Sequence, residues 1–303
     1  MIERWNRFWF RAASPLGFLA TRTVLCATSL WILISRPDLP DVLRWPAAFW
    51  RGVRPMTRVR FFVFDIPFAI ERTLWFILFA ALVTALFGIV PRIACAIASI
   101  LLYHFASLET ILYHRLGPYF NGLTLPILGL AALAIVRHPR LRDEANSDYR
   151  WPIALIQILL SFNYTFSAIA KIQSAGFGWP TGHNLRDGIL ISLTYEPTPR
   201  LFAHFLLDHN GIAAAMILTA FISDSLFFLV PFSRRLRNIL VPLAIFGHVG
   251  IAMSIGIVFL STPYLIVYVD WDRVAARLRN RRAARSMRSE SGAATTSTVP
   301  SAQ

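Results

Sequence analysis

The stretch QILLSFNYTFSAIAKIQSAGFGW, residues 157–179, places an amine in an apolar run. Lys171 is the sole lysine of the chain, and every other member of its 30 lysine-plus-arginine residues is arginine. On a helical wheel of about 100° per residue, Gln157, Tyr164, Lys171 and Ser167 fall on one arc, with Ser174 and Asn163 at its margin. Ile158, Leu159, Phe162, Phe166 and Ile169 take the opposite arc. A helix surrounded by lipid has no reason to gather its polar groups, whereas a helix lining a cavity does, because unsatisfied polar groups in hydrocarbon are costly. A desolvated amine there could serve as a general base, its pKa drawn down from about 10.4. Arginine could not do this, since guanidinium stays protonated. The plainer alternative is a basic side chain near a helix end that snorkels to the headgroups. The base reading requires that no carboxylate pair with the amine, and Asp224 is the acid that decides it.

Other polar residues sit in apolar runs. Tyr103, Ser107, Thr110 and His114 recur at spacings of 4, 3 and 4, flanked by His104 and Glu109. Such a face could donate hydrogen bonds to a ligand oxygen or tie helices together. His248, in FGHVGIAMSIG, lies among small residues that let helices approach closely, so both a role in proton transfer and one in packing are open to it. Arg22, inside the first apolar run, is expected to pair with Asp224 or a carbonyl. Cys26 and Cys95 read as small buried hydrophobes, with no disulfide framework and no metal site. The Asn163-Tyr164-Thr165 sequon carries no meaning inside a lipid-embedded helix.

The elements that must position these residues follow from composition. Hydrophobic residues make up 56% of 303 and the mean hydropathy is +0.54, outside the soluble range. The expected fold is all-α, a polytopic membrane bundle of about seven or eight transmembrane helices plus interfacial helices. Candidate spans are 16–34, 69–90, 93–114, 119–137, 152–173, 211–232, 238–256 and 257–271, the last two readable also as one long helix broken near Gly256. The net charge of +14 comes from short arginine runs between apolar segments, such as RHPRLR and SRRLR. That pattern suits cytoplasmic loops and anionic membrane lipid rather than nucleic acid. It puts both termini in the cytoplasm, in a bacterial cytoplasmic membrane, with the N-terminal apolar run retained as a span rather than cleaved as a signal. Residues 35–68 mix arginine with tryptophan and phenylalanine and read as an interfacial or re-entrant element. Residues 174–210 are too interrupted by proline to span. Residues 1–274 form the transmembrane domain, and 275–303 a basic and then disordered tail.

The run NYTFSAIAKIQSAGFGW resembles the lysine helix of the horizontally transferred transmembrane (HTTM) domain family, the vitamin K-dependent γ-carboxylase-like membrane proteins. Tyr164, Lys171 and Trp179 match the family's tyrosine, its lysine and the tryptophan of the following loop. RFWFRAASPLGFLATRTVL, with Arg22, and the segment from SDSLFFLVPF to SIGIVFLS, with His248, are similar to its opening and late parts. This sequence differs in having Gln157 fourteen rather than twelve residues before the lysine, Ala168 for a glycine, and Asp224 for a glutamate. It also lacks a clean counterpart of an earlier-span histidine and the large soluble region that grips substrate in the animal enzyme. The resemblance implies that Lys171 deprotonates a reduced vitamin K or related quinone, whose oxygenation drives carboxylation of a peptide glutamate. His248 and His114 would be further catalytic groups. Tyr164, Ser167, Gln157, Trp179, Tyr103 and Ser107 would line the cofactor, and Arg22, Asp224 and Glu109 would be structural. The partner would be a peptide substrate or the product of a neighbouring gene. The alternative is a non-catalytic structural, transport or toxin-peptide export partner whose polar stripe lines a conduit.

Overall fold

The computed structural model describes residues 2–35, 67–113, 121–181, 183–195 and 201–281. The expected interfacial element lies almost wholly, and the end of the tail entirely, outside them. Ten α-helices can be bounded: α1 (Ile2–Phe10), α2 (Pro15–Ser35), α3 (Phe68–Phe87), α4 (Pro91–Tyr113), α5 (Asn121–Ile135), α6 (Arg150–Ala175), α7 (His183–Tyr195), α8 (Leu201–Asp208), α9 (Asn210–Leu226) and α10 (Arg234–Ile255). A further helix, α11, covers residues 271–281. Among the described residues β-structure is limited to one isolated bridge, Ala13 to Asn146. Five helical stretches are long and apolar enough to cross a membrane, Pro15–Ser35, Ala69–Phe87, Ser147–Ala175, Asn210–Leu229 and Arg234–Ile255. Pro91–Ala106 and Leu123–Ile135 are shorter apolar helices. The first seven expected segments thus all correspond to helices.

The eighth does not. α10 ends where Gly256, at φ +83°, adopts the left-handed conformation that closes a helix. The chain then turns back through residues 257–261 without regular structure and through a 3-10 helix, Thr262–Tyr268. Length explains the difference. The 22 residues of α10 carry the chain about 33 Å, and fifteen residues in α-helical form would return it only about 22 Å. Extended and 3-10 backbone advance further per residue.

One core joins α2 to α6 and the 3-10 segment, with Phe18, Leu25, Leu82, Phe105, Leu130, Leu133, Ile156 and Tyr264 fully buried. Close approach of α5 to α2 and α6 depends on Gly129, where a Cβ would lie 2.8 Å from Leu25 Cδ1 and 3.3 Å from Ile156 Cδ1. A smaller core, with Leu185, Ile189, Leu206 and Ile217, joins α7, α8 and α9. Residues 174–210, expected not to span, contribute the 3-10 turn Gly176–Thr181, α7 and α8. Large apolar side chains also face outward, including Phe76, Phe79, Ile93, Ile100, Phe162, Phe166, Phe246 and Met253.

Chain ends and turns rich in arginine meet at one end of the molecule. Ser14 N donates to Asp272 (2.7 Å), Arg150 Nε donates to the Phe8 carbonyl (2.9 Å), and Arg234 and Arg273 pair with Asp270 (3.3 and 3.2 Å). His138 lies at the same end, in the turn after α5. Its Nε2 donates to the Leu133 carbonyl (3.0 Å), which leaves Nδ1 to accept from Arg22 Nη1 (3.3 Å). Burial, helped by the charges of Arg22 and Arg92, lowers its pKa to about 4 from 6.5. A histidine held neutral in the folded state contributes stability that is full above its unfolded pKa and is lost as pH falls toward the folded one. Thermal unfolding in detergent should therefore show Tm dropping between about pH 6.5 and pH 4, and His138→Gln should flatten that part of the profile.

Candidate functional site

α6 carries its polar groups on one side, but the structure divides them into two sets with different fates. In the half nearer Arg150, every polar group is engaged within the protein. Gln157 accepts from Arg150 Nη2 (3.0 Å) and donates to the Val267 carbonyl (2.6 Å). Tyr268 donates to the Gln157 carbonyl (2.6 Å), and its hydroxyl also meets Ser161 Oγ (2.7 Å). Gln157 was expected to touch a cofactor. Its amide is instead consumed in docking the 3-10 segment, because the backbone of that segment needs partners inside an apolar bundle.

The other half of α6 holds Tyr164, Ser167 and Lys171. Lys171 Nζ lies 2.5 Å from Asp224 Oδ2, with the two side chains 22% and 15% exposed. The indole of Trp179 packs 4.7 Å from the same nitrogen. The amine thus has a carboxylate on one side and a π-face on the other. The unpaired amine that a Lys171 base requires is therefore not what the fold presents, and this corrects the expectation. Arg22 does not pair with Asp224 as expected. It bonds His138 at the arginine-rich end, whereas Asp224 bonds Lys171 on the later part of α6.

Beside the ion pair stands a column of four rings. Phe227 stacks on Tyr164 (centroids 4.1 Å, 19° between planes), Tyr164 on His248 (5.6 Å, 14°) and His248 on Phe259 (4.4 Å, 15°). Tyr164 is 4% exposed, and its hydroxyl makes no well-formed hydrogen bond although Ser261 is its nearest polar neighbour. His248 Nδ1 meets Thr262 Oγ1 at 2.6 Å, and Lys171 is within electrostatic reach of the ring. The column ends at a groove of about 480 Å³ between α2, α10 and the return segment. Val24, Ala27, Trp31, Ala252 and Val258 line it, and His248, Thr28 and Thr262 are its polar groups. His248 Nε2 makes no hydrogen bond to a described residue. The groove thus offers an apolar bed with one imidazole edge, in the volume range of small-molecule sites.

Of the remaining sequence candidates, Ser167 and Tyr103 are described. Ser167 lies half-buried on the α6 face. Tyr103 is on α4, 42% exposed. The side chains of Ser107 and Glu109, and the whole of His114, lie outside the described residues. What the sequence reading missed is a buried pair between α3 and α4. Glu71 Oε1 and His104 Nε2 are 2.5 Å apart, Glu71 is wholly buried, and its Oε2 has no partner among the described residues. An acid and a histidine interrupting two adjacent apolar runs were the available signal.

No family model, no curated protein and no solved structure matches the chain.

Breaking a buried ion pair from one side strands a charge, whereas removing both sides does not. Lys171→Met or Asp224→Asn alone should each cost on the order of 3 kcal/mol or less, given the partial exposure of both groups. The Lys171→Met/Asp224→Asn double variant should cost clearly less than the sum, as read by thermal unfolding in detergent. Additive losses would mean that the pair is not coupled.

Proposed function

We propose that the chain is an integral membrane protein that seats a lipid-soluble, ring-bearing molecule of the quinone class in the groove at His248. The observation that carries this reading is the four-ring column ending at an apolar groove whose wall presents one imidazole nitrogen without a partner among the described residues. A flat ring would continue the column beyond Phe259, an apolar tail would lie along Val24, Ala27 and Val258, and a ring hydroxyl would donate to His248 Nε2.

A polytopic bundle is supported by the five apolar helices, the two shorter ones, and an outer surface too apolar for water. The arginine-rich end is the cytoplasmic one by the positive-inside rule, which places both termini there. The likeness of the lysine helix to the vitamin K-dependent carboxylase-like family agrees with a reduced naphthoquinone as occupant. Such a group, when bound, supplies two electrons and two protons. On the protein side, His248 is the acceptor nearest the groove, with its other nitrogen tied to Thr262. The Lys171–Asp224 pair keeps a fixed charge pair near the ring column, and Trp179 shields the ammonium. Peptide carboxylation remains the family's chemistry, and no residue described here is assigned to it. The internally satisfied Gln157 network favours the second reading, a non-catalytic membrane partner in which the groove holds a structural lipid.

Trp31 lines the groove and reports on its contents. Titrating a naphthoquinone into the protein in nanodiscs should give saturable quenching that Trp31→Phe abolishes. Ala252→Phe, which fills the groove, and His248→Leu should each weaken it at least tenfold. Linear quenching that neither groove variant alters would overturn the assignment.

A further inference from the structure

A second polar centre lies at the arginine-rich end, built on residues that do not line the groove. Arg22 is 8% exposed, and its Nε has no hydrogen-bond partner among the described residues. Nη1 bonds the neutral His138, while Nη2 lies 3.1 Å from the place a Cβ would occupy on Gly88 and makes no hydrogen bond to a described residue. Gly88 sits at φ +76° in the turn between α3 and α4, so the guanidinium reaches this turn only because the position has no side chain. Arg92, at the start of α4, reaches across the same end of the bundle, donating to the carbonyls of Ala134 (3.2 Å) and Ile135 (3.3 Å). No carboxylate among the described residues pairs with either arginine.

A guanidinium this deeply buried without a counter-charge is expensive. The C-termini of α3 and α5 face the same region and supply partial negative charge, which offsets part of that cost. They leave Nε and Nη2 unmatched, and a second cation, Arg92, adds to the imbalance. What fits is an oxyanion with several acceptor atoms. Phe87, Ile89, Val90 and Ile93, each at least 60% exposed, border the turn. The approach is therefore apolar on its outer side and cationic within.

We propose that Arg22, Arg92 and the Gly88 turn form a binding site for the phosphate group of an anionic phospholipid, with acyl chains lying along Phe87, Ile89, Val90 and Ile93. The inference rests on the membrane reading and not on the groove or its occupant. It accounts for a buried cation that the described residues do not neutralise and for a glycine where helix closure alone would also accept asparagine.

The test is thermal unfolding of the full chain in phosphatidylcholine nanodiscs with increasing phosphatidylglycerol. The expected result is a saturable rise in Tm, whose midpoint moves at least fivefold to higher phosphatidylglycerol in Arg92→Gln. Arg277→Gln, which removes the same charge from the exposed face of α11, should leave it in place. Arg22→Gln should abolish the rise, and Arg92, being exposed, provides the variant that folds if the buried substitution does not. A full rise on adding inorganic phosphate to pure phosphatidylcholine discs would support the site with a free anion as its source. Equal effects of Arg92→Gln and Arg277→Gln, or no rise at all, would overturn it. Saturable quinone quenching in the same preparation would show that the groove stands whatever the outcome here.

Discussion

Residues 256–270 run back through the molecule without forming an α-helix, so other elements must supply the hydrogen bonds that a helix makes for itself. α6 supplies one of these, to the Val267 carbonyl, and anchors the segment's Tyr268 hydroxyl. Gln157 takes the Val267 carbonyl, the Gln157 carbonyl takes Tyr268, and Ser161 shares the same tyrosine hydroxyl. Arg150, 6% exposed and 5.1 Å above the Phe8 ring, holds the Gln157 amide from below. His248 does the same service for Thr262 from α10. The docking satisfies the return segment, and it also fixes Phe259 against His248 and leaves the groove beside them. A continuous eighth helix would have filled that space with side chains.

The ring column and the ion pair meet on α6 and at the end of α9, and they constrain each other. Asp224 and Phe227 are three positions apart near the end of α9, so Lys171 and Tyr164 on α6 are held by one short segment. Thr165 adds a long bond to the Asp224 carbonyl (3.4 Å). An amine held this way is engaged by the fold rather than free.

Much of the scaffold was legible in the sequence, because hydropathy reports burial in lipid or core and seven apolar runs became helices. Less legible was anything that depends on which helices meet. The wheel grouped Gln157, Tyr164 and Lys171 correctly as one face, yet it could not show that a 3-10 segment covers one half of that face and a ring column the other. Lys171 and Asp224 were both singled out and their pairing posed as the deciding question, which the geometry answers against a free amine. Glu71 and His104 lie 33 positions apart, and no periodicity links them. The eighth segment was misread because an apolar run has the same hydropathy in α-helical, 3-10 or extended form, and only the distance still to be crossed distinguishes them.

The groove lies on a seam. α2 belongs to the larger core, while α10 also packs against α7, α8 and α9, and the return segment joins the two sides at the groove. Ser192 on α7 ties down the last carbonyl of α10, at Ile255 (2.6 Å), just before the chain leaves the helix. Any molecule seated between Trp31 on α2 and Val249 on α10 would therefore touch both halves and replace contacts that neither half makes to the other. Its binding free energy would appear partly as resistance of the two halves to separation, so occupancy of the groove and the integrity of the bundle are one linked equilibrium.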